Sequence, residues 1–316
     1  SSYYLVLLLL TWTNTSSSAR AFWYGWLFGL TFFGCGVYWI YISIHDFGNA
    51  PAILSVLILA LLIAFLALYP ALVGYLLNRV YPQNNWRKFL LAFPASWVLL
   101  EWMRGWLLSG FPWLFLGYGH IDSLLRGWAT VFGVYGVSFA IAQTAGAIVC
   151  MFFYRKQIKS LMTFALLITI LEVGCYCLTK INWTKQVDSP IQVTLIQGNI
   201  PLKEKWDENK IVSILNSYAE LTAQNISSEI IVWPEAAIPA YPEDVPFYLN
   251  LLSKAAKLHN STILSGIPFY DKETRKYYNG ILALGVNEGR YYKRHLVPFG
   301  EYLPLRFMLS WLHNYL

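Results

Sequence analysis

Glu235, Lys293 and Glu301 are the residues whose types and settings carry chemistry in this sequence. Glu235 follows the strand-forming run Ile230-Ile231-Val232-Trp233 and Pro234, and a second turn closes at Pro239. Proline cannot extend a central ladder, so the strand stops and delivers the carboxylate at its carboxyl end, the edge where open α/β sheets bind ligands. Lys293 comes directly after the second strand of a hairpin. Glu301 lies in Leu296-Val297-Pro298-Phe299-Gly300-Glu301-Tyr302, apolar but punctuated by Pro and Gly. A carboxylate takes a proton from a nucleophile, and an ammonium stabilises the oxyanion formed when that nucleophile attacks a carbonyl. With a thiol, the three would form a covalent acyl-transfer site. A plain reading stands beside each: Glu235 and Glu301 as turn acids, Lys293 as a solvated strand-end charge beside Arg294.

The elements that must position them form an α/β pattern. Ile191–Gln197 reads as a strand closed by Gly198 and Pro201. Asp207–Gln224 has helical spacing, with Ile211, Ile214, Leu215, Tyr218 and Leu221 three and four apart. The Ile230 strand follows, then a helix over Pro246–His259 and a strand at Thr262–Gly266. Tyr277–Gly285 and Gly289–Tyr292 read as strands paired through Val286-Asn287-Glu288.

Everything before this pattern is of another kind. Hydrophobic residues make up 57% of the chain and charged residues 13%, far from soluble composition. Ala21–Ile44, Ala52–Leu77, Phe89–Leu108, Trp128–Phe153 and Ser160–Leu178 are each long enough to span a bilayer, and Tyr3–Trp12 reads as the tail of another span. Residues 1–186 therefore form a transmembrane domain with five full spans and one partial, and residues 187–316 a polar domain. The net charge divides as +7 and −1 between them. On one side of the spans lie Arg20, Arg79, Arg87, Lys88, Arg155, Lys156 and Lys159, and on the other only Arg126. The basic side is cytoplasmic, which places the polar domain on the outer face. The basic excess flanks apolar spans, which argues for a bilayer partner and against nucleic acid. Glu101 and Arg104, three apart on one helix, could neutralise each other, whereas Glu172 has no evident partner. The segment from Gly110 to Tyr118 is aromatic but broken by Pro and Gly, either a re-entrant stretch or an interfacial anchor. Cys35, Cys150, Cys175 and Cys177 all lie in apolar stretches, and the five histidines have no ligand spacing, so neither metal nor cofactor is expected.

Several motifs resemble those of the bacterial apolipoprotein N-acyltransferases, members of the nitrilase (carbon–nitrogen hydrolase) superfamily. They are Trp233-Pro234-Glu235-Ala236-Ala237-Ile238-Pro239, Gln197-Gly198-Asn199-Ile200-Pro201, and the run from Tyr292 through Lys293 to Tyr302. Glu101-Trp102-Met103-Arg104-Gly105-Trp106, Phe111-Pro112-Trp113 and Arg20-Ala21-Phe22 with Gly25-Trp26 match in the apolar half. The resemblance implies an α-helical polytopic membrane domain plus an α/β nitrilase-like αββα sandwich domain, in a multi-pass protein of the bacterial inner membrane with the nitrilase-like domain on its periplasmic face. It implies Glu235 as general base, Lys293 as oxyanion-stabilising lysine and Glu301 as a supporting glutamate. Trp206 and Asn279 would line or support the site, with Phe299 and Tyr302 in the loop over it and Trp113 at the membrane-side wall where lipid chains enter. The implied reaction moves an acyl chain from a membrane phospholipid to the α-amino group of a diacylglyceryl apolipoprotein through a cysteine thioester, in a monomer and with no cofactor.

One departure bears on that expectation. No cysteine follows Cys177, and the family's nucleophile comes downstream of the loop holding Glu301. The sequence thus reads as a fragment truncated at both ends and by itself inactive. Two other readings stay open: a membrane-tethered nitrilase-type amidase, and a catalytically dead membrane protein that binds lipid or lipoprotein.

Overall fold

Runs of Leu, Ile, Val and Ala shape the first half of the chain. In the computed structural model, which describes residues 2–297 and 301, they form α1 (Ser2–Thr13), α2 (Ser18–Val37), α3 (Trp39–Ile42), α4 (Ala52–Leu66), α5 (Leu68–Val80), α6 (Phe93–Arg104), α7 (Ala129–Phe153) and α8 (Ile158–Thr179). Among the described residues, Ala52–Val80, Leu124–Phe153 and Ile158–Thr179 are helices long and apolar enough to cross a membrane. Ser18–Val37 and Trp39–Phe47 add a fourth span if taken together, with a bend of 52° between them. Gly34 and Gly36 weaken the helix just before that bend. Phe89–Leu108, expected as one span, is instead the 12-residue α6 preceded by a widened turn at Lys88–Ala92.

Small residues let these helices approach closely, as packing in lipid requires. A methyl group on Gly25 would lie 2.5 Å from the carbonyl oxygen of Pro70 on α5, and one on Gly29 2.6 Å from Cα of Ala67. One buried cluster here joins α1, α5 and the turn before α6. Lys88 Nζ donates to Asn78 Oδ1 at 2.7 Å and to Asn84 Oδ1 at 3.0 Å, while Asn78 Nδ2 donates to the carbonyls of Trp12 and Thr15.

Glu101 and Arg104 do more than neutralise each other. Both are buried, and their ion pair is long, at 3.9 Å. The shorter bonds go to the segment after α6. Arg104 donates to the carbonyls of Phe111 at 3.0 Å, Trp113, and Leu114 at 3.4 Å. Glu101 Oε1 accepts the Leu116 N–H at 2.8 Å. The guanidinium also lies over the rings of Phe33 and Phe115. This segment is irregular: Leu108 (φ 53°) and Leu114 (φ 60°) adopt the left-handed conformation that costs a non-glycine residue about 1–2 kcal/mol. Its backbone groups find partners in two charged side chains where hydrocarbon offers none.

The second unit, Gln186–Leu296, alternates strands and helices: β1 (Val193–Leu195), α9 (Leu202–Lys205), α10 (Ile211–Ala223), β2 (Ile230–Val232), α11 (Pro246–Leu258), β3 (Thr262–Asp271), β4 (Lys276–Gly285) and β5 (Gly289–Tyr292). They form one mixed sheet in the order β1-β2-β3-β4-β5. β1, β2 and β3 run parallel, with α10 and α11 as their crossovers, and β4 and β5 are antiparallel additions. Successive right-handed crossovers in one direction put both helices on one face. The core lies there: Ile214, Leu215 and Tyr218 of α10 and Leu252 and Ala256 of α11 pack on Ile231, Ile263, Ile267, Leu282 and Leu284. On the other face Val193, Leu195, Ile281 and Tyr291 are exposed. β3 was expected to stop at Gly266 yet continues through Pro268 to Asp271. Its parallel neighbour β2 ends opposite Leu264, so on that edge Pro268 interrupts no ladder.

Candidate functional site

The strand end that carries Glu235 is fixed from three sides. Trp233 extends the β2–β3 pairing by one bond, its N–H donating to the Leu264 carbonyl at 2.8 Å. Its buried indole stacks on Tyr218 of α10 at 4.9 Å and donates to Thr222 Oγ1 at 3.0 Å. Pro234 then ends the ladder, and Ala236 turns the chain with φ 47°. Gly266 of β3 lies directly under that turn. A methyl group there would meet the Pro234 carbonyl oxygen and the Ala236 nitrogen at 2.5 Å and Glu235 Cα at 2.7 Å. All three are backbone atoms that cannot swing aside. Gly266→Ala should therefore destabilise the domain by about 1–3 kcal/mol and displace Glu235, seen as a lower melting temperature of the intact protein.

Register brings the partners to Glu235. The N–H of Lys293 donates to the Asn279 carbonyl at 2.8 Å, continuing the β4–β5 ladder one residue beyond β5. That bond sets the two side chains on the same carboxylate: Asn279 Nδ2 donates to Glu235 Oε1, and Lys293 Nζ donates to the same oxygen at 3.3 Å. Glu235 is 65% exposed and Lys293 31%, so the ion pair adds no more than about 1 kcal/mol to stability. Its consequence is positional. One carboxylate oxygen is held by two donors, the Asn279 amide and the Lys293 ammonium.

Lys205, which the sequence reading did not single out, also reaches this turn. Its Nζ donates to the main-chain carbonyl of Glu235 at 2.8 Å. Burial draws its ammonium below the ordinary lysine range, and the Glu235 carboxylate partly opposes that fall. It lay hidden in Lys203-Glu204-Lys205-Trp206, a run that reads as solvated charge. Trp206, next to it at the end of α9, is exposed.

Glu301 Oε2 accepts the Val297 N–H at 2.7 Å. Trp113 belongs to the helical unit, where its ring tilts against Phe111 and Trp39 and its carbonyl is held by Arg104. Phe299 and Tyr302 lie outside the described residues. Among the described residues no group of His, Cys, Asp and Glu could hold a metal ion.

Comparison with known proteins separates the possible uses of such a site. A family model described as the apolipoprotein N-acyltransferase N-terminal domain matches residues 2–147, and the carbon-nitrogen hydrolase model matches residues 192–312. An apolipoprotein N-acyltransferase of Coxiella burnetii is 45% identical over 296 residues, which is 93% of this chain and 61% of that protein. One of Methylococcus capsulatus is 41% identical over 310 residues, 98% of this chain and 61% of the relative. The likeness to apolipoprotein N-acyltransferases runs along nearly all of this chain. It spans about three-fifths of the length of the curated relatives it matches. The two family matches describe an apolar helical region followed in the sequence by a carbon–nitrogen-hydrolase domain with a mixed sheet. The relatives' names describe acyl transfer to an amine, which needs a base and an oxyanion partner at a carbonyl.

Proposed function

We propose that the intact protein transfers an acyl chain from a membrane phospholipid to the α-amino group of a diacylglyceryl-cysteine at the N-terminus of an apolipoprotein. The observation that carries this reading is the convergence of Lys293 and Asn279 on one oxygen of Glu235 at a strand end, in a chain whose relatives bear that enzyme's name. Glu235 takes the proton of a cysteine thiol as the sulfur attacks the donor's ester carbonyl. Lys293 stabilises the resulting oxyanion with its positive charge. Collapse breaks the ester C–O bond, and the departing glycerol oxygen recovers the proton, leaving a lysophospholipid and an acyl thioester. In the second half the lipoprotein amine attacks the thioester, Glu235 takes the amine's proton, and the thiolate leaves to be reprotonated.

Residues 1–186 serve as the bilayer domain and residues 187–316 as part of the catalytic domain. Loop charges favour an outer-face, periplasmic position for the latter in the inner membrane. The family resemblance gives Trp206 and Glu301 supporting roles in this reaction, and Trp113 a role in lipid entry. No cysteine follows Cys177, so a polypeptide of these 316 residues alone forms no acyl-enzyme at Glu235.

The test uses the intact protein in proteoliposomes with phosphatidylethanolamine labelled in an acyl chain. A hydroxylamine-labile label on the protein, chased onto a diacylglyceryl-cysteine peptide, is the expected result. No protein-bound label, together with ammonia release from a soluble amide, would replace this reading with an amidase.

A further inference from the structure

We infer that Lys205 is a positioning residue for the reaction proposed at Glu235, holding the carboxylate's backbone in register with Lys293 and Asn279; the inference rests on that reading. The turn it grips is the strained point of the site. Ala236 stands in the left-handed region at φ 47°, unfavourable for a residue with a Cβ. Gly266 leaves the backbone at Glu235 no room to sink toward the sheet. The Glu235 carbonyl lies beyond the ladder that ended at Pro234, and its donor is the Lys205 ammonium at 2.8 Å.

The opposing oxygen of the same residue, Oε1 of the side chain, is held by Lys293 and Asn279. Glu235 is thus fixed at both ends, by donors from two separate parts of the chain. Lys205 is half-buried and makes no ion pair among the described residues. Its hydrogen bond goes to a neutral carbonyl, while the Glu235 carboxylate acts on its charge from the same residue. α9 has four residues and ends at Lys205. The following Trp206–Asp207 turn is itself fixed, with Asp207 Oδ1 accepting the Asn209 N–H. The Lys205 N–H donates to the Pro201 carbonyl at 3.1 Å, so the lysine reaches Glu235 from a hydrogen-bonded turn. A base displaced by about 1 Å can lose on the order of 10²-fold in rate, so a residue that sets its backbone acts on the rate of acylation and not on donor binding.

Single-turnover acylation of the intact protein by labelled phosphatidylethanolamine, over a range of donor concentration, tests this in Lys205→Met, Lys205→Arg and Glu235→Gln. Lys205→Met should lower the maximal acylation rate about 10- to 100-fold with the half-saturating donor concentration unchanged within about twofold. Lys205→Arg, which can still reach the carbonyl, should recover most of the rate. A wild-type rate in Lys205→Met overturns the inference, as does a raised half-saturation at unchanged maximal rate, which would make Lys205 a substrate contact. Arg no better than Met also overturns it. If Lys205→Met does not fold, Lys205→Gln takes its place under the same criteria. Normal acylation in Glu235→Gln strikes the underlying reading instead, and so separates the two failures.

Discussion

Glu235→Gln in the intact protein is expected to slow acyl-enzyme formation by about 10²–10⁴-fold while leaving the melting temperature unchanged. The two halves of this prediction come from one geometry. Glutamine keeps the size of the side chain and an acceptor for Asn279 and Lys293, but it cannot take a proton. The pair it replaces is largely in water, Glu235 being 65% exposed, so the loss to folding stays below about 1 kcal/mol. Lys293→Met should cost about 10²–10³-fold, the usual loss of an oxyanion donor. Because the two act in the same step and touch each other, the double variant should be little slower than Glu235→Gln alone. Full additivity of the two losses would mean that the residues act separately. A large drop in melting temperature would return Glu235 to the status of a structural turn acid. Trapped thioester, measured by hydroxylamine-labile label under single-turnover conditions, and thermal denaturation of the same preparations decide both points.

The chemistry of this site was legible where it depended on chain punctuation and hidden where it depended on contact. Pro234 after an apolar run announces a strand end, and β2 stops at Val232 as that pattern requires. The hairpin strand Gly289–Tyr292 also follows its sequence limits, which left Lys293 at the first position beyond it. The pairing of Lys293 with Glu235 was not in the sequence, because 58 residues separate them and only the β4–β5 register brings them together. Lys205 was missed for a different reason. Its neighbours Lys203 and Glu204 give it the look of a solvated face, and only the backward turn at Ala236 turns a carbonyl toward it. In the apolar half, hydropathy located the helices but not their breaks. The bend between α2 and α3 and the shortness of α6 come from glycines and from a widened turn, local features that a window of average hydropathy does not register.

Arg104→Met should destabilise the helical unit by about 3–5 kcal/mol, and a companion substitution at Glu101 should not restore it. The two readings of this charge pair part company here. If the charges served only to neutralise each other within an apolar bundle, replacing both with Leu and Met would remove two desolvation penalties and be close to neutral. The structure gives them other partners. Arg104 satisfies the carbonyls of Phe111, Trp113 and Leu114, and Glu101 satisfies the N–H of Leu116. In the double variant four main-chain groups lose their partners, at a cost of about 1–3 kcal/mol for each that stays buried. The left-handed Leu114 would also lose what holds it. The double variant should therefore melt as low as Arg104→Met or lower. Tryptophan emission, to which Trp113 contributes, should change with it. Recovery of stability in Glu101→Leu/Arg104→Met would show that the pair is an electrostatic stitch between helices. Its absence would make Glu101 and Arg104 the clamp that lets an aromatic, non-helical segment persist among apolar helices.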